Sequence, residues 1–331
     1  MRKTGGIRFH TVRPSEFGGT MNFLHLLAAL RTPFWDAVFG AVTYLGDETF
    51  FIAAALFIFW CVDKRGGYFL LTVGFFGIIL NETLKLLFRI PRPWILDPSF
   101  SPVESALGRA VGYSFPSGHT QNAACLFGSC ALRTKKKSLR ILCALLFCLV
   151  AFSRLYLGVH TPLDVGVSTL CALCLLTVFA ALFRRFGENS RFFAILIGCM
   201  LISAVGFLIF ASQIVEPNPL FSENAASGVT HGCYMLGGII GLAIGYPVER
   251  RFIRFKTDAP VGGQVVKLAI GFFAVIGIKS ALKAPLLLLF HGSPAAHTLR
   301  YAIVVLFAVA VYPLTFPFFA RVGTGRKTAA R

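Results

Sequence analysis

Residues 139–183 have the sequence LRILCALLFCLVAFSRLYLGVHTPLDVGVSTLCALCLLTVFAALF, and this stretch decides the fold class. Two apolar runs, 139–157 and 162–183, flank a short polar segment. Each run is close to the roughly 20 residues that a helix needs to cross about 30 Å of hydrocarbon. Because similar runs recur along the chain, the sequence predicts an all-α, polytopic transmembrane helical bundle.

Composition supports a membrane protein and argues against other classes. Of the 331 residues, 56% are hydrophobic and 14% are charged, against about a quarter charged in typical soluble proteins. The net charge of +18 does not indicate a nucleic-acid partner, because the basic residues lie between apolar runs rather than on one soluble face. Nearly all nine cysteines fall inside predicted spans, which favours free thiols over disulfides or a zinc site.

We predict nine spans and a preceding interfacial segment. Residues 21–46 are apolar but include Arg31, Pro33 and Asp36, which favours an amphipathic helix lying in the interface and leaves a tenth span open. We therefore divide the chain into residues 1–48, a tail and interfacial segment; 49–184, a core of about five spans; and 185–331, about four further spans and a basic tail. The spans cover approximately 49–62, 67–88, 117–133, 139–157, 162–183, 192–213, 229–247, 264–290 and 298–319.

Loop charge predicts the orientation of these spans. The segments after spans one, three, five and seven, together with the C-terminal tail, contain 18 of the 32 Lys and Arg residues, so we expect them to be cytoplasmic. The opposite side includes the loop 214–228, which has two glutamates and no Lys or Arg. Basic residues in the first 13 positions argue the other way for the N-terminal tail and would require residues 21–46 to cross, so that question stays open.

Three polar clusters lie at the same predicted, non-cytoplasmic face. The first is at the end of span two, the second at the start of span three, and the third joins spans four and five. Their members are Lys85, Arg92 and Pro93; Pro116, Ser117, Gly118 and His119; and Ser153, Arg154, His160 and Asp164.

The first two clusters, with Arg154, have the chemistry of an anion site. Lys85, Arg92 and Arg154 supply positive charge, and arginine donates paired hydrogen bonds to phosphate oxygens. Ser117 is placed to cap span three, so that the free backbone amides of Gly118 and the next residue point at a bound anion.

The third cluster adds a nucleophile. Thr161 followed by Pro162 predicts a helix start, and Asp164 lies about one turn after His160. The carboxylate is then placed to accept a hydrogen bond from one imidazole nitrogen and leave the other free to attack. His119, at another helix end, is placed to protonate the leaving group and then to activate water.

Each motif alone has an ordinary explanation as a turn, a helix cap or an interfacial side chain. Together, however, six polar residues at the edges of apolar spans are costly and are functional candidates. The patterns K-x6-R-P at 85–93, P-S-G-H at 116–119 and S-R-x5-H-x3-D at 153–164 resemble the three-part signature of the type 2 phosphatidic acid phosphatase (PAP2) superfamily, over about two-fifths of the chain.

The resemblance implies a metal-independent phosphohydrolase with a helical core and no cofactor. It implies that Lys85, Arg92, Ser117, Gly118 and Arg154 bind phosphate. It further implies that His119 is the general acid, that His160 is the nucleophile and forms a phosphohistidine, and that Asp164 supports it.

We expect the substrate to be a lipid phosphate or diphosphate: polyprenyl diphosphate, phosphatidate or a sphingoid-base phosphate. The alternative is a non-catalytic membrane protein that binds or translocates lipid phosphates. We expect membrane lipids but no nucleic acid or obligate protein partner, and a bacterial plasma membrane with the site on the non-cytoplasmic face. Lys279, Lys283 and His231, in the last spans, either snorkel and cap helices or extend a headgroup pocket.

Overall fold

The computed structural model describes residues 18–110, 112–187, 189–215 and 222–322. Its regular elements are helices, and no β-strand occurs within those ranges. The predicted all-α class is therefore confirmed. The helices are α1 (Gly18–Ala29), α2 (Pro33–Val42), α3 (Glu48–Phe57), α4 (Lys64–Phe88), α5 (Pro93–Leu96), α6 (Glu104–Leu107), α7 (Gly118–Arg133), α8 (Lys137–Tyr156), α9 (Pro162–Phe186), α10 (Ser190–Ser212), α11 (Ser222–Val248), α12 (Val261–Ala281), α13 (Lys283–Leu289), α14 (Ala295–Leu306) and α15 (Phe316–Phe319).

Shorter turns extend some of these helices. A 3-10 turn, Thr43–Gly46, follows α2, and π-helical turns continue α3, α11 and α14. All nine cysteines are free thiols, as the sequence predicts.

Seven helices in the described chain are long and apolar enough to cross a membrane, and the count rises to eight if one bent pair forms a single span. That pair joins Pro33–Gly46 to Glu48–Val62 at an angle of 51°. The predicted count of nine is higher for two reasons. The first predicted span covers only the second half of the bent pair, and α7 has 16 residues, a rise of about 24 Å, which is shorter than the hydrocarbon layer.

The chain divides into two compact units. The first unit comprises Met1–Ile52, Thr72–Arg185 and Ile209–Gly228, and the second comprises Ala53–Leu71, Phe186–Leu208 and Val229–Arg331. In the first unit α7 packs along α8, and both contact the Thr43–Gly46 turn. In the second unit α12, α13 and α14 pack together.

Two apolar clusters hold the loops at one end of the first unit. In one of them, Ile90, Phe100 and Phe115 pack against buried side chains of α1. In the other, Leu157 and Val159 pack against α6 and the residues after it. The backbone N–H of Val103 also donates to the carbonyl of Leu157 at 3.0 Å. These clusters fix the three loops that contain the predicted site residues.

Candidate active site

The start of α9 positions a histidine and a carboxylate. The Asp164 carboxylate Oδ2 accepts the backbone N–H of Thr161 at 2.8 Å, and the Thr161 hydroxyl accepts the N–H of Asp164 at 3.3 Å. This reciprocal pairing is a capping box with Asp in the third helical position. His160 Nδ1 lies 3.3 Å from the same Oδ2. The sequence therefore folds locally so that the carboxylate faces one nitrogen of the imidazole.

The other imidazole nitrogen faces an arginine. His160 Nε2 lies 3.0 Å from Nη1 of Arg92, and both residues are buried. Since an arginine only donates hydrogen bonds, Nε2 must accept, and the proton of the neutral ring then sits on Nδ1, toward Asp164. The lone pair of Nε2 is thus directed at a fixed cation.

Three cations converge near this histidine. Arg92 also donates to the carbonyl oxygens of Val159 and Gly112, at 2.9 and 3.1 Å. Arg154 is 1% exposed and donates from Nη1 to the Thr43 hydroxyl at 2.6 Å. All of these backbone and hydroxyl acceptors are neutral, so neither guanidinium is neutralised by these bonds.

Lys85 completes the set of cations. Its ammonium lies 2.7 Å from the carboxylate of Glu82, one turn earlier in α4. It is also 3.9 Å from the position that a Cβ on Gly118 would take, which places it beside the first turn of α7. An ammonium has three N–H donors, so the contact with Glu82 still leaves donors for an anion.

The start of α7 is tied to the start of α9. The Ser117 hydroxyl accepts from the N–H of Thr120 at 3.4 Å and caps the helix. The Ser117 N–H donates to the Asp164 carbonyl at 3.2 Å, and the Ser168 hydroxyl donates to the Ser117 carbonyl at 2.9 Å. The first amides of α7 and the His160 ring are therefore held in one arrangement.

His119 is the second residue of α7. Its ring is close enough to Arg154, His160, Arg92 and Lys85 for their charges to act on it. The structure thus brings together all eight residues that the sequence singled out. We call this group the His160 site; it comprises Lys85, Arg92, Ser117, Gly118, His119, Arg154, His160 and Asp164.

Buried polar atoms in and beside the site have no hydrogen-bond partner among the described residues. They are His119 Nε2, Arg154 Nε, Asn81 Nδ2 and Asp164 Oδ1. A buried polar atom without a partner is costly, and a ligand with several acceptor oxygens satisfies such nitrogens. This geometry fits a phosphate group.

His160 lies in the link between α8 and α9, outside the candidate spans. Its burial lowers the pKa of the imidazole well below its usual range, and the charges of Arg92, Arg154 and Lys85 lower it further. The ring is therefore neutral near pH 7, which is the form that can act as a nucleophile.

Sequence reasoning missed several residues that support the site. Ser114 is fully buried and donates from its hydroxyl to Asp164 Oδ2 at 2.5 Å. Thr43 accepts a hydrogen bond from Arg154, and Gly46 packs against the start of α7. Asn81 lies beside Gly118, and the sequence alone could have singled it out, because it is a polar residue inside an apolar span. Thr43 carried no comparable signal.

A metal site does not emerge from the described part of the chain. There, no three side chains among His, Cys, Asp and Glu come close enough to hold an ion. The metal-independent reaction implied by the sequence stays a prediction.

Comparison with known proteins decides the family. The PAP2 superfamily model matches residues 65–188, and the model of the PAP2 superfamily phosphatase transmembrane extension matches residues 233–324. Phosphatidylglycerophosphatase B of Bacillus subtilis is 31% identical over 149 residues, which cover 41% of this chain and 69% of that protein. The chain belongs to the PAP2 superfamily.

Further relatives of this PAP2 protein differ in how much of it they match. A probable sphingosine-1-phosphate phosphatase of Dictyostelium discoideum is 26% identical over 307 residues, covering 89% of this chain and 70% of the relative. An undecaprenyl-diphosphatase of Bacillus subtilis is 29% identical over 124 residues, which cover 38% of this chain and 59% of that protein. A crystal structure of a PAP2 type phosphatidylglycerolphosphate phosphatase from Bacillus subtilis aligns over 52% of this chain and 90% of its own, with 26% identity and a TM-score of 0.43.

The family models and the named relatives make this PAP2 protein a lipid phosphatase, and its apolar helices make it an integral membrane protein. Both outcomes confirm the prediction from sequence. The domain boundaries that we predict after residues 48 and 184 stay a prediction.

Proposed function

We propose that this PAP2 protein hydrolyses a lipid phosphate through a phosphohistidine intermediate on His160. Nε2 of His160 attacks phosphorus and forms the N–P bond, while the bond from phosphorus to the lipid oxygen breaks. His119, protonated when the phosphate anion occupies the site, gives its proton to that departing oxygen. In the second step His119 takes a proton from water, the resulting hydroxide attacks phosphorus, and the N–P bond breaks to release inorganic phosphate and restore the imidazole.

The observation that carries this proposal is the placement of the His160 ring between Asp164 and Arg92, at 3.3 and 3.0 Å. The carboxylate stabilises the positive charge that develops on the ring when Nε2 attacks. The position of Arg92 beside Nε2 supports phosphate binding next to the nucleophile. The neutral ring at pH 7 supports the same assignment.

The cations and the start of α7 support phosphate binding. We propose that Lys85, Arg92 and Arg154, together with Ser117 and Gly118, hold the three non-bridging oxygens. Charge-assisted hydrogen bonds from these groups act most strongly in a buried site, where the charge of the transition state has no competing water.

The relatives support an order in which to test substrates. The relative named for sphingosine-1-phosphate aligns over 89% of the chain, whereas those named for phosphatidylglycerophosphate and undecaprenyl diphosphate align over 41% and 38%. We therefore propose sphingoid-base phosphates as the first substrate class to test, followed by phosphatidate and polyprenyl diphosphate. We also propose a bacterial plasma membrane, with the site on the non-cytoplasmic face that the loop charges predict.

The test is phosphate release from this panel by the purified full chain in detergent, with EDTA present. We expect the wild type to release phosphate and His160→Ala to lose activity by several orders of magnitude. His25→Ala is the matched control, because His25 is an exposed histidine that pairs with Asp97, which is not a residue of the His160 site. Activity in His160→Ala equal to that of His25→Ala would contradict the mechanism, and so would loss of wild-type activity in EDTA.

Trapping the intermediate tests the two histidines separately. With p-nitrophenyl phosphate, whose leaving group needs no proton, His119→Ala should still form the phosphoenzyme but hydrolyse it slowly. Acid-labile, base-stable labelled phosphate should therefore accumulate on His119→Ala and be absent from His160→Ala. A wild type that binds lipid phosphates but releases no phosphate from any of them would favour the non-catalytic alternative.

A further inference from the structure

Helices of the second unit bring cationic and aromatic side chains together. One residue comes from α11, two come from the junction of α12 and α13, and three come from α14. We call this group the Arg300 cluster; its members are Tyr234, Lys279, Lys283, His297, Arg300 and Tyr301.

Arg300 is the centre of the cluster. It is 3% exposed, and its Nε atom has no hydrogen-bond partner among the described residues. Its guanidinium lies over the rings of Tyr234 and Tyr301, at 5.7 and 5.2 Å from their centroids, and hydrogen-bonds the Tyr234 side chain. The aromatic rings orient the guanidinium but do not neutralise its charge.

Further groups surround this arginine. His297 is buried, its ring centroid is 5.0 Å from that of Tyr234, and its Nδ1 has no partner in the described chain. The Lys279 ammonium lies 5.7 Å from the centroid of the Tyr301 ring, and the charge of Lys283 acts on His297. Three fixed positive charges therefore share one small region.

The carboxylates of this part of the chain lie far from these charges along their helices. Residues 229–331 contain only two, Glu249 and Asp258. Glu249 follows Tyr234 by roughly 15 residues, or about 22 Å of helix rise. Asp258 acts on Lys267, which precedes Lys279 in α12 by about 18 Å of rise.

The surroundings of the cluster are apolar. Leu288 and Leu289, on the neighbouring α13, are 81% and 67% exposed. Charged side chains inside membrane segments are costly unless they pair or face a polar ligand. A buried guanidinium and two lysines beside exposed leucines match the ligand chemistry of a phosphate group attached to apolar chains.

We propose that the Arg300 cluster is a second anion site, built from none of the residues of the His160 site, which binds a phosphate group of an anionic phospholipid or free phosphate. Arg300, Lys279 and Lys283 donate to its oxygens, and His297 Nδ1 lies beside them. The ligand is bound and not hydrolysed. This inference does not depend on the chemistry proposed for His160.

The experiment follows thermal unfolding of the full chain in dodecyl maltoside micelles, titrated with dioleoylphosphatidylglycerol, dioleoylphosphatidylcholine or inorganic phosphate. A ligand that binds only the folded protein raises the melting temperature in a saturable way. We expect phosphatidylglycerol to do so, with a half-saturating concentration about tenfold higher in Lys279→Gln/Lys283→Gln and a larger loss in Arg300→Gln. Lys256→Gln, an exposed lysine of the same unit, is the matched control and should behave as wild type.

None of these variants changes a residue of the His160 site, so a loss confined to the cluster variants reports on the Arg300 cluster. If inorganic phosphate alone shows the same cluster-dependent saturation, the anion site stands with free phosphate as its ligand. The double lysine variant keeps the test decisive if Arg300→Gln does not fold. Equal titrations in the wild type and in Lys279→Gln/Lys283→Gln, or an equal response to phosphatidylcholine, would overturn the proposal.

Discussion

Ser114→Ala tests whether a residue outside the sequence motifs positions the Asp164 carboxylate, to which we assign a catalytic role. The Ser114 hydroxyl donates to Asp164 Oδ2 at 2.5 Å, and its backbone N–H donates to the Ile90 carbonyl at 2.8 Å. Ser114 therefore links the segment that contains Arg92 to the carboxylate that faces His160. Removing the hydroxyl leaves the backbone link in place and deletes only the contact with Asp164.

The size of the effect follows from the partners of the carboxylate. A hydrogen bond to a charged group contributes about 1.5–3 kcal/mol, and 1.4 kcal/mol corresponds to a factor of ten. Asp164 keeps the N–H of Thr161 at 2.8 Å, so it does not lose its position entirely. We expect kcat to fall about tenfold to a hundredfold. KM should change little, because Lys85, Arg92 and Arg154, which we propose bind phosphate, are untouched.

Ser129→Ala is the control, because it also removes a buried hydroxyl but at a position that is not part of the His160 site. Ser129 is 1% exposed, and its hydroxyl donates at 2.5 Å to the Cys125 carbonyl within α7. The assay measures kcat and KM with the best lipid phosphate of the panel, together with thermal unfolding. Similar melting temperatures with a lower kcat only in Ser114→Ala support a positioning role. An equal kcat in the two variants would refute it.

Three further predictions concern Thr43 and Gly46, which pack against the His160 site, and the pH dependence of activity. Thr43→Val removes the acceptor of Arg154 Nη1, and steady-state kinetics should show KM raised about tenfold with a smaller change in kcat. Gly46→Ala would set a Cβ 2.7 Å from a backbone oxygen of α7, so it should lower stability by about 1–3 kcal/mol in thermal unfolding, whereas Gly40→Ala, with its nearest neighbour at 3.8 Å, should not. Since the pKa of His160 is lowered, the acidic limb of kcat/KM that reflects its protonation should lie below pH 6.5; a limb from this group above pH 6.5 would contradict the burial argument.

The sequence was most informative where polar residues interrupt apolar runs. A lysine, two arginines and two histidines at span ends are costly unless they serve one site, so their proximity was predictable before any distance was known. The structure brings His160 to 3.0 Å from Arg92 across 68 positions of the chain. The chemical roles of these residues stay predictions until the variants are assayed.

The supporting residues were not predictable for a physical reason. Thr43 is an ordinary polar residue near the end of a short helix, and its partner Arg154 is 111 positions away. Whether the two meet depends on how the α2 segment packs against α8, and no local pattern encodes that packing. The predicted count of about nine spans exceeds the seven or eight of the structure for a related reason, because hydropathy does not report that a turn bends a helix pair by 51° or that α7 has only 16 residues.

The backbone links between loops suggest how such a site tolerates a changing lipid environment. Ser117 N–H to the Asp164 carbonyl joins the start of α7 to the start of α9, and Ser114 N–H to the Ile90 carbonyl joins the segment before α7 to the segment that contains Arg92. These bonds lie at the loop end of the first unit and do not involve the exposed apolar faces of α8 and α9. We therefore expect changes of lipid contact along those faces to affect stability more than the distances between His160 and its partners. On this argument, substitutions that break these backbone-linked contacts should lower activity more than substitutions on the exposed apolar faces of α8 and α9.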